Sequence, residues 1–315
     1  MMCAFSDVLL FRSIEKAIAM LKNLSTIRRI GGACALLLGM CHANAAETVN
    51  VLYAGSLVHA MEQRIGPAFE KESGLKFQGF AGGSNLLANQ IKGRLRRADV
   101  YISASPSGDL QLMDEANGKW VSWYVNFAES PMLIGYNPKS RFAAALKTER
   151  WDQALTQSGI RLGRTDPKLD PKGLFVVQLL QKAQEVYHEP DLSQRMLGGP
   201  ENPAQVMPEE TLVGWLQSGQ LDAGFFYSTE TSDLKIPSIE LPSQFDIKAA
   251  YTITIPNRAP NEAGAERFVA FLLSDEGHKL LQESGINVIQ PGVEGDSSAV
   301  PAPLEQILAR PVNAQ

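Results

Sequence analysis

The chain has 315 residues, of which 44% are hydrophobic and 20% are charged, as is typical of a globular protein with about two domains. Its net charge of −5 and its lack of a long basic block argue against a nucleic-acid-binding protein. Three Cys and four His leave little material for a structural zinc site or an iron–sulfur cluster.

Residues 1–45 carry the three parts of a secretory signal peptide. A basic stretch at 20–29 is followed by an apolar run at 30–41 and then by small residues, so cleavage is expected after Ala45. The apolar run is shorter than the roughly 20 residues that cross a membrane, and no second such run follows it. We therefore predict an exported, periplasmic protein that is not an integral membrane protein.

Two alternatives for this leader stay open. Met20 is a second candidate start, which would make 1–19 an over-extended beginning. Cys41 is a candidate lipid anchor, although Met40 stands where such a site normally carries a small residue. Cleavage after Ala45 removes all three Cys and a leader charge of +3 (five basic residues and two acids), which leaves the exported chain at −8.

The first part of the exported chain alternates strands with amphipathic helices. Strands are predicted at 49–53, 76–80 and 99–104, and a helix follows each of them. Gly66-Pro67 is expected to break the first helix, because proline favours the first turn of a new one. The alternation is typical of an α/β architecture.

The alternation continues to the end of the chain. Further strands are predicted at 132–136, 160–163, 223–227, 251–255 and 286–289, and further helices at 173–187, 209–217 and 262–284. The last of these helices is predicted to be the longest. The Gly- and Pro-rich segment 193–208 is predicted to be a surface loop, and the last 25 residues a loosely packed tail.

Two Gly-Ser turns are the first candidate ligand site. Ser56 and Ser84 each follow a strand and open a helix, where unpaired backbone N–H groups and the helix dipole attract anions. A single serine in this position is more often a plain helix cap. Two of them at neighbouring strand ends would lie together at the sheet edge where α/β proteins bind ligands.

Three further residues are weaker candidates. Asp170 lies in a double Asp-Pro motif, Gly163 to Gly173, just before a predicted helix. Tyr227 and Glu240 close short apolar segments later in the chain. Taken singly, each would more often be a turn, cap or otherwise satisfied structural residue.

The order of these motifs resembles a known family. The segments AGS, GGSNLLANQIKG, ADVYISAS, GRTDPKLDPKG and IELP, spread over 49–290, together resemble the periplasmic molybdate/tungstate-binding proteins of ABC importers, above all the tungstate-type subgroup. The double Asp-Pro motif and IELP are the most specific parts. The sequence departs from the subgroup at Lys172 and Leu174 and in the stretch after IELP, which bears more on coordination geometry than on ligand class.

The resemblance implies a type II periplasmic binding fold, with two α/β lobes joined by two crossovers and an oxyanion in the cleft. Residues 47–130 with 250–315 would form the first lobe, and 131–249 the second. The ligand residues it implies are Ser56, Ser84, Ser130, Asp170, Tyr227 and Glu240. It also implies delivery to a membrane permease, and we expect a monomer that needs no cofactor.

The resemblance further implies that Asp170 and Glu240 bond directly to the metal of the oxyanion. Carboxylates repel a free dianion, so their presence makes sense only if they reach the hexavalent molybdenum or tungsten, which prefers oxygen donors. Sulfur in sulfate does not expand its coordination in this way. The pair would therefore select against sulfate and phosphate by repulsion.

Two other classes of function stay open at this stage. The same fold could bind another oxyanion, ferric iron or a small organic acid. A secreted glycoside hydrolase could use Asp170 and Glu240 as its carboxylate pair. The chain has no Gly-x-Ser-x-Gly elbow and no Ser, His and Asp in an order that suggests a hydrolase triad, which makes an enzyme the weaker hypothesis.

Overall fold

The computed structural model of the protein describes residues 47–310. The predictions about the leader (the signal peptide of 1–45, the start at Met20 and the lipid on Cys41) lie outside the described residues. Within the described part of the chain, none of the helices has the length and apolar character needed to cross a membrane.

Nine strands form the sheet structure of the described chain. They are β1 Thr48–Ala54, β2 Lys76–Gly82, β3 Val100–Ser103, β4 Trp123–Tyr136, β5 Leu162–Gly163, β6 Ala223–Tyr227, β7 Ser238–Glu240, β8 Lys248–Thr254 and β9 Asn287–Gly295. The strand order is β2-β1-β3-β8-β4-β6-β5, and β7 and β9 also pair with β4. Pairing is parallel at β1–β2, β1–β3 and β5–β6 and antiparallel elsewhere.

Helices connect these strands and cover the sheet faces. They are α1 Val58–Ala60, α2 Gly66–Ser73, α3 Ser84–Lys92, α4 Pro106–Met113, α5 Ala143–Thr148, α6 Trp151–Leu155, α7 Pro171–Tyr187, α8 Leu192–Leu197, α9 Glu209–Ser218, α10 Ser228–Asp233, α11 Glu262–Leu272, α12 Asp275–Glu283 and α13 Ala302–Leu308. Short 3-10 turns lie at Gly55–Leu57, Glu115–Asn117 and Ser297–Ala299, and a π-helical turn lies at Met61–Ile65. The predicted α/β class is confirmed.

One long strand is shared by two regions of sheet. The first half of β4 pairs with β8 and β9, whereas Met132–Tyr136 pairs with β6. A bulge between Asn126 and Ala128 shifts the register in the first half. The strands β5, β6 and β7 all fall inside 131–249, but the lobe boundaries as such stay a prediction.

The helix predicted over 262–284 is wrong, because the structure has two helices there. α11 ends at Leu272, and Ser274 caps α12 by accepting a hydrogen bond from Gly277 N at 3.2 Å. Gly277 is needed at this corner, since a Cβ atom on it would lie 2.3 Å from Phe271 O. The longest helix of the described chain is instead α7, with 17 residues.

Three other predictions about local structure are corrected, the first of them only in part. A new short helix, α2, does begin at Gly66 with Pro67 in its first turn, but the π-helical turn Met61–Ile65 leads directly into it without a break in the helical backbone. The segment predicted as a loop at 193–208 begins within α8, which buries Leu192, Met196 and Leu197. The predicted loose tail contains α13, whose Leu304 is completely buried.

The main hydrophobic core packs helices from both ends of the chain against the shared sheet. Phe69 on α2 meets Phe268 and Phe271 on α11, with ring centroids 5.1 and 5.8 Å apart. Burying a side chain of this size contributes roughly 1.5–3 kcal/mol. The contact fixes α11 beside β1, so the C-terminal helices complete the fold that the first strands begin.

Candidate functional site

The first Gly-Ser turn follows β1 and lies in a buried 3-10 turn. The Ser56 hydroxyl is 2.9 Å from the Tyr251 hydroxyl on β8. It makes no capping hydrogen bond. The plain capping role therefore does not explain Ser56, and the contact places two hydroxyl groups side by side at the end of the strands.

The second turn anchors α3 to the neighbouring strand. Ser84 is 1% exposed, and its hydroxyl accepts a hydrogen bond from Ala104 N at 3.0 Å. Its carbonyl accepts a hydrogen bond from the Tyr101 hydroxyl at 2.8 Å. Ser84 does not cap α3 with its side chain. In the first turn of α3 the Leu86 N–H donates to Leu169 O at 3.0 Å, so the N–H groups of Ser84 and Asn85 are the ones that keep the positive dipole end open at this edge.

Both turns touch residues from the middle of the chain. A Cβ atom on Gly83 would lie 2.4 Å from Leu169 O and 3.1 Å from Asp170 Cβ. A Cβ atom on Gly55 would lie 3.2 Å from Glu209 Cβ. The glycines thus allow the strand ends to meet Asp170 and Glu209 at van der Waals distance, which brings the predicted site elements together.

Asp170 caps α7 and is nearly buried. Its Oδ1 accepts a hydrogen bond from Lys172 N at 2.9 Å, and the residue is 9% exposed. Burial raises the pKa of Asp170 to about 6, with a further rise from the charge of Glu209 and an opposing effect from Lys172. The carboxyl group therefore caps the helix, as predicted, and its pKa lies closer to neutral pH than that of an ordinary aspartate.

A buried lysine joins two glutamates next to Asp170. Lys172 Nζ donates to Glu209 Oε1 at 2.6 Å and to Glu230 Oε1 at 2.9 Å, and all three side chains are at most 5% exposed. Burial lowers the pKa of Lys172, but the charges of Glu209 and Glu230 raise it by more. The lysine stays charged and offsets much of the negative charge of the site.

The two glutamates respond to this lysine in opposite directions. Burial favours a raised pKa for Glu209, yet the charge of Lys172 brings the pKa below its usual value. Burial and the neighbouring Glu209 raise the pKa of Glu230 well above its usual value. The cluster consequently holds one ionised glutamate against one lysine, together with a second glutamate that retains its proton more readily.

Tyr227 presents a hydroxyl group with no hydrogen-bond partner within residues 47–310. The residue is 1% exposed, and its ring lies edge-on to Tyr251 with centroids 6.4 Å apart. Asp170 is close enough for its charge to contribute to the raised pKa of Tyr227, behind the larger effect of burial. A buried, unpartnered hydroxyl beside a carboxylate is costly unless another group binds it.

Ser130 lies close to the site but already has partners. Its hydroxyl is 2.8 Å from the Ser228 hydroxyl and accepts a hydrogen bond from Thr229 N at 3.1 Å. These contacts tie β4 to the start of α10. Ser130 is therefore placed to position α10, and its role as a direct ligand stays a prediction.

The structure does not bring Glu240 together with the other predicted residues. Glu240 is exposed at the end of β7 and pairs with Leu133 of β4, whereas Tyr227 pairs with Met132. Adjacent residues of a strand point to opposite faces, so Glu240 and Tyr227 face opposite sides of the sheet. The physical reason is the register in which β7 pairs with β4, and the IELP motif does not encode that register.

Four residues of this site were missed by sequence reasoning as ligand candidates. They are Lys172, Glu209, Glu230 and Tyr251. Lys172 stood out only as a departure from the motif, and Glu209 only as the start of a predicted helix. Nothing in their spacing signals that they meet, because 37 and 58 residues separate Lys172 from the two glutamates.

Two cavities open on either side of Glu209. One, of about 490 Å³, is lined by polar residues that include Ser56, Glu62 and Glu230. The other, of about 310 Å³, is lined by Gly83 and Asp170 among others. Each has room for a small solute, and Glu209 forms a wall common to both.

Comparisons with known proteins agree with this architecture. The sequence profile of bacterial extracellular solute-binding proteins matches residues 49–287. An uncharacterized solute-binding protein of Petrotoga mobilis is 29% identical over 290 residues, which cover 82% of this chain and 89% of that protein. A putative ABC transporter molybdenum-binding protein of Haloferax volcanii is 28% identical over 239 residues, which cover 73% and 74%. The molybdate/tungstate-binding protein of Thermococcus kodakarensis is 25% identical over 307 residues, which cover 80% and 86%.

A solved structure of the same architecture supports the fold assignment. The periplasmic molybdate-binding protein of Azotobacter vinelandii superimposes with a TM-score of 0.60 at 17% identity, covering 76% of this chain and 98% of that one. At this identity the likeness concerns the fold alone. It confirms the predicted two-lobe α/β binding-protein fold.

Proposed function

Because the chain belongs to the family of bacterial extracellular solute-binding proteins, we propose that it captures molybdate or tungstate in the periplasm and delivers it to the permease of an ABC importer. The names of the Haloferax and Thermococcus relatives support this ligand class. We further propose that it acts as a monomer, without a cofactor and without catalysing a reaction.

The observation that carries the proposal is the unpartnered Tyr227 hydroxyl, which lies within electrostatic reach of Asp170 and whose ring packs on Tyr251, the partner of Ser56. A tetrahedral oxyanion would accept hydrogen bonds from this hydroxyl, from Ser56 and from the backbone N–H groups at the start of α3. Lys172 adds a buried positive charge beside them. Such donors suit any oxyanion of this size.

Selectivity would come from carboxylates that reach the metal. Asp170 and Glu209 line the same cavity, Glu209 contacts the first Gly-Ser turn, and its charge contributes to the raised pKa of Asp170. We propose Asp170 with Glu209 as the selective pair. Glu240, which the sequence resemblance implied, stays the alternative.

The positions of the two candidate carboxylates support solute capture over the enzyme hypothesis. A glycosidase needs its two carboxyl groups on either side of one substrate bond, within about 10 Å of each other. Asp170 is nearly buried, whereas Glu240 is exposed and faces the other side of the sheet from Tyr227. We therefore set the hydrolase aside in favour of solute capture.

The test is calorimetry of the purified exported protein with tungstate, molybdate, sulfate, phosphate, ferric citrate and a small organic acid. Tight binding of the first two ions with weak binding of the others is the expected result. If sulfate, ferric iron or the organic acid binds clearly and tungstate does not, the proposed ligand is wrong although the family assignment stands.

Three matched variants then separate the candidate carboxylates. Asp170→Asn and Glu209→Gln should each weaken tungstate binding by about tenfold or more and narrow its advantage over sulfate, because a charge that repels sulfate is removed. Glu240→Gln should leave both affinities unchanged. If Glu240→Gln is the only variant that narrows the affinity difference between tungstate and sulfate, Glu240 is the ligand and Glu209 is structural.

A further inference from the structure

Four arginines form a basic surface that the proposed solute-binding role does not use. Arg94, Arg96 and Arg97 lie in the loop between α3 and β3, and Arg258 follows β8. All four are exposed, and within residues 47–310 no carboxylate lies within ion-pair distance of them. This arginine surface stands out because the exported chain carries a net charge of −8.

Three of the four guanidinium groups lie against aromatic rings. The Arg258 guanidinium lies 4.5 Å and that of Arg94 5.7 Å from the centre of the Trp120 ring, and Arg96 lies 4.4 Å from the Phe80 ring. Arg94 also adopts a left-handed backbone with φ of 53°. Stacking of this kind reduces the entropy lost when the arginines bind an anion.

The arginines surround a groove and an exposed apolar side chain. The groove, of about 460 Å³, is lined by all four arginines and Trp120. Leu95 lies in the same loop and is 77% exposed. Positive charge around an exposed leucine matches the interfacial region of a membrane, where headgroups bear negative charge and acyl chains lie just below.

This surface lies at the opposite edge of the sheet from the ligand site. Ser56 follows the end of β1, whereas Arg97 precedes the start of the parallel strand β3. A seven-residue strand such as β1 spans roughly 23 Å. A solute must leave at the cleft edge to enter an importer, so the arginine surface is poorly placed to contact the permease during delivery.

The chain also enters the fold at this edge. Thr48 begins β1, and Asn261 Nδ2, close to Arg258 in sequence, donates a hydrogen bond to Thr48 O at 3.1 Å. We propose that the arginine surface binds anionic phospholipid headgroups, with Leu95 inserted among the acyl chains. Bound in this way, the protein lies on the membrane with its cleft facing outward.

The experiment is co-sedimentation of the exported protein with vesicles of phosphatidylcholine alone or mixed with equal parts of phosphatidylglycerol. The protein should bind the anionic vesicles, bind the neutral ones far less, and dissociate as salt is raised. Removing two arginines in Arg94→Ala/Arg97→Ala should weaken binding by roughly thirtyfold. Leu95→Ala should weaken it severalfold at unchanged charge.

Lys71→Ala/Lys279→Ala is the matched control, because both lysines are exposed and make no ion pair within the described chain. It should bind the vesicles as the unchanged protein does. Tungstate affinity should be the same in all variants, which keeps this test separate from that of the proposed function.

Three results would overturn the inference. Equal binding to both kinds of vesicle is one, and undiminished binding by the double arginine variant is another. The third is absence of vesicle binding. Inorganic phosphate binding at the groove would then assign the surface to a free anion. An arginine-dependent association with the detergent-solubilised permease would instead assign it to a protein partner.

Discussion

Asp170 holds a carboxyl group in a nearly buried position at the start of α7. Its pKa is raised to about 6 from 3.8, so the folded state binds the proton more tightly than the unfolded chain does. The stabilisation from that proton is complete below pH 3.8 and is lost as the pH rises through about 6. The loss across this window amounts to at most about 3 kcal/mol.

Asp170→Asn removes this dependence while keeping the cap, because Asn caps helices as well as Asp does. The free energy of unfolding is measured in urea at several pH values for both ligand-free proteins. As the pH rises from about 4 to about 7, the unchanged protein should lose stability relative to the Asp170→Asn variant. Parallel curves for the two proteins would show that the carboxyl group titrates normally.

In the described chain, Lys172 is the only cation that forms an ion pair with Glu209 or with Glu230. Lys172→Met leaves these carboxyl groups buried without a cation and should lower the free energy of unfolding by about 3–5 kcal/mol. Adding Glu209→Gln and Glu230→Gln to the same protein should restore part of that loss. An equal loss in the single and the triple variant would mean that packing, and not charge, explains the effect.

At the scale of elements, α13 shows that the end of the chain is part of the packed fold. Leu304 is completely buried, although its Pro- and Ala-rich surroundings predict a loose tail. Leu304→Ala should lower the free energy of unfolding by about 2–5 kcal/mol, since it creates a cavity. Leu110→Ala, at a leucine that is 57% exposed, is the control and should cost much less. Similar losses in both variants would contradict the packing of α13.

The join between α11 and α12 illustrates how a tertiary corner overrides helical periodicity. Ser274 and Gly277 together end one helix and start the next, by a cap and by a close approach to Phe271 O. The apolar pattern of 262–284 runs through this corner, because both helices bury one face against the same core. Periodicity therefore predicted a single helix where packing requires two.

At the scale of the whole molecule, a ligand that binds only the folded protein should stabilise it by mass action. At a thousandfold excess of tungstate over its dissociation constant, the gain is about 4 kcal/mol. Differential scanning fluorimetry of the exported protein should show a clear rise in Tm with tungstate or molybdate. A rise with sulfate alone would point to a different oxyanion.

The sequence by itself determined several local elements of this protein and the two Gly-Ser turns of its site. Strand and helix periodicities depend on neighbours a few residues away, so β1–β3, α3, α7 and β6 follow from the pattern. The Gly-Ser turns at Ser56 and Ser84 follow as well, since a helix that starts directly after a strand places its N-terminus at the sheet edge.

Only the tertiary structure decided which distant residues meet. Glu209 and Glu230 reach Lys172 because α7, α9 and α10 converge, and no short-range pattern records that convergence. Glu240 faces away from Tyr227 because β7 and β6 pair with adjacent residues of β4, and a shift of one residue would reverse the face. Chemistry at a site depends on distances between side chains, and in this protein those distances are set by strand register and helix packing.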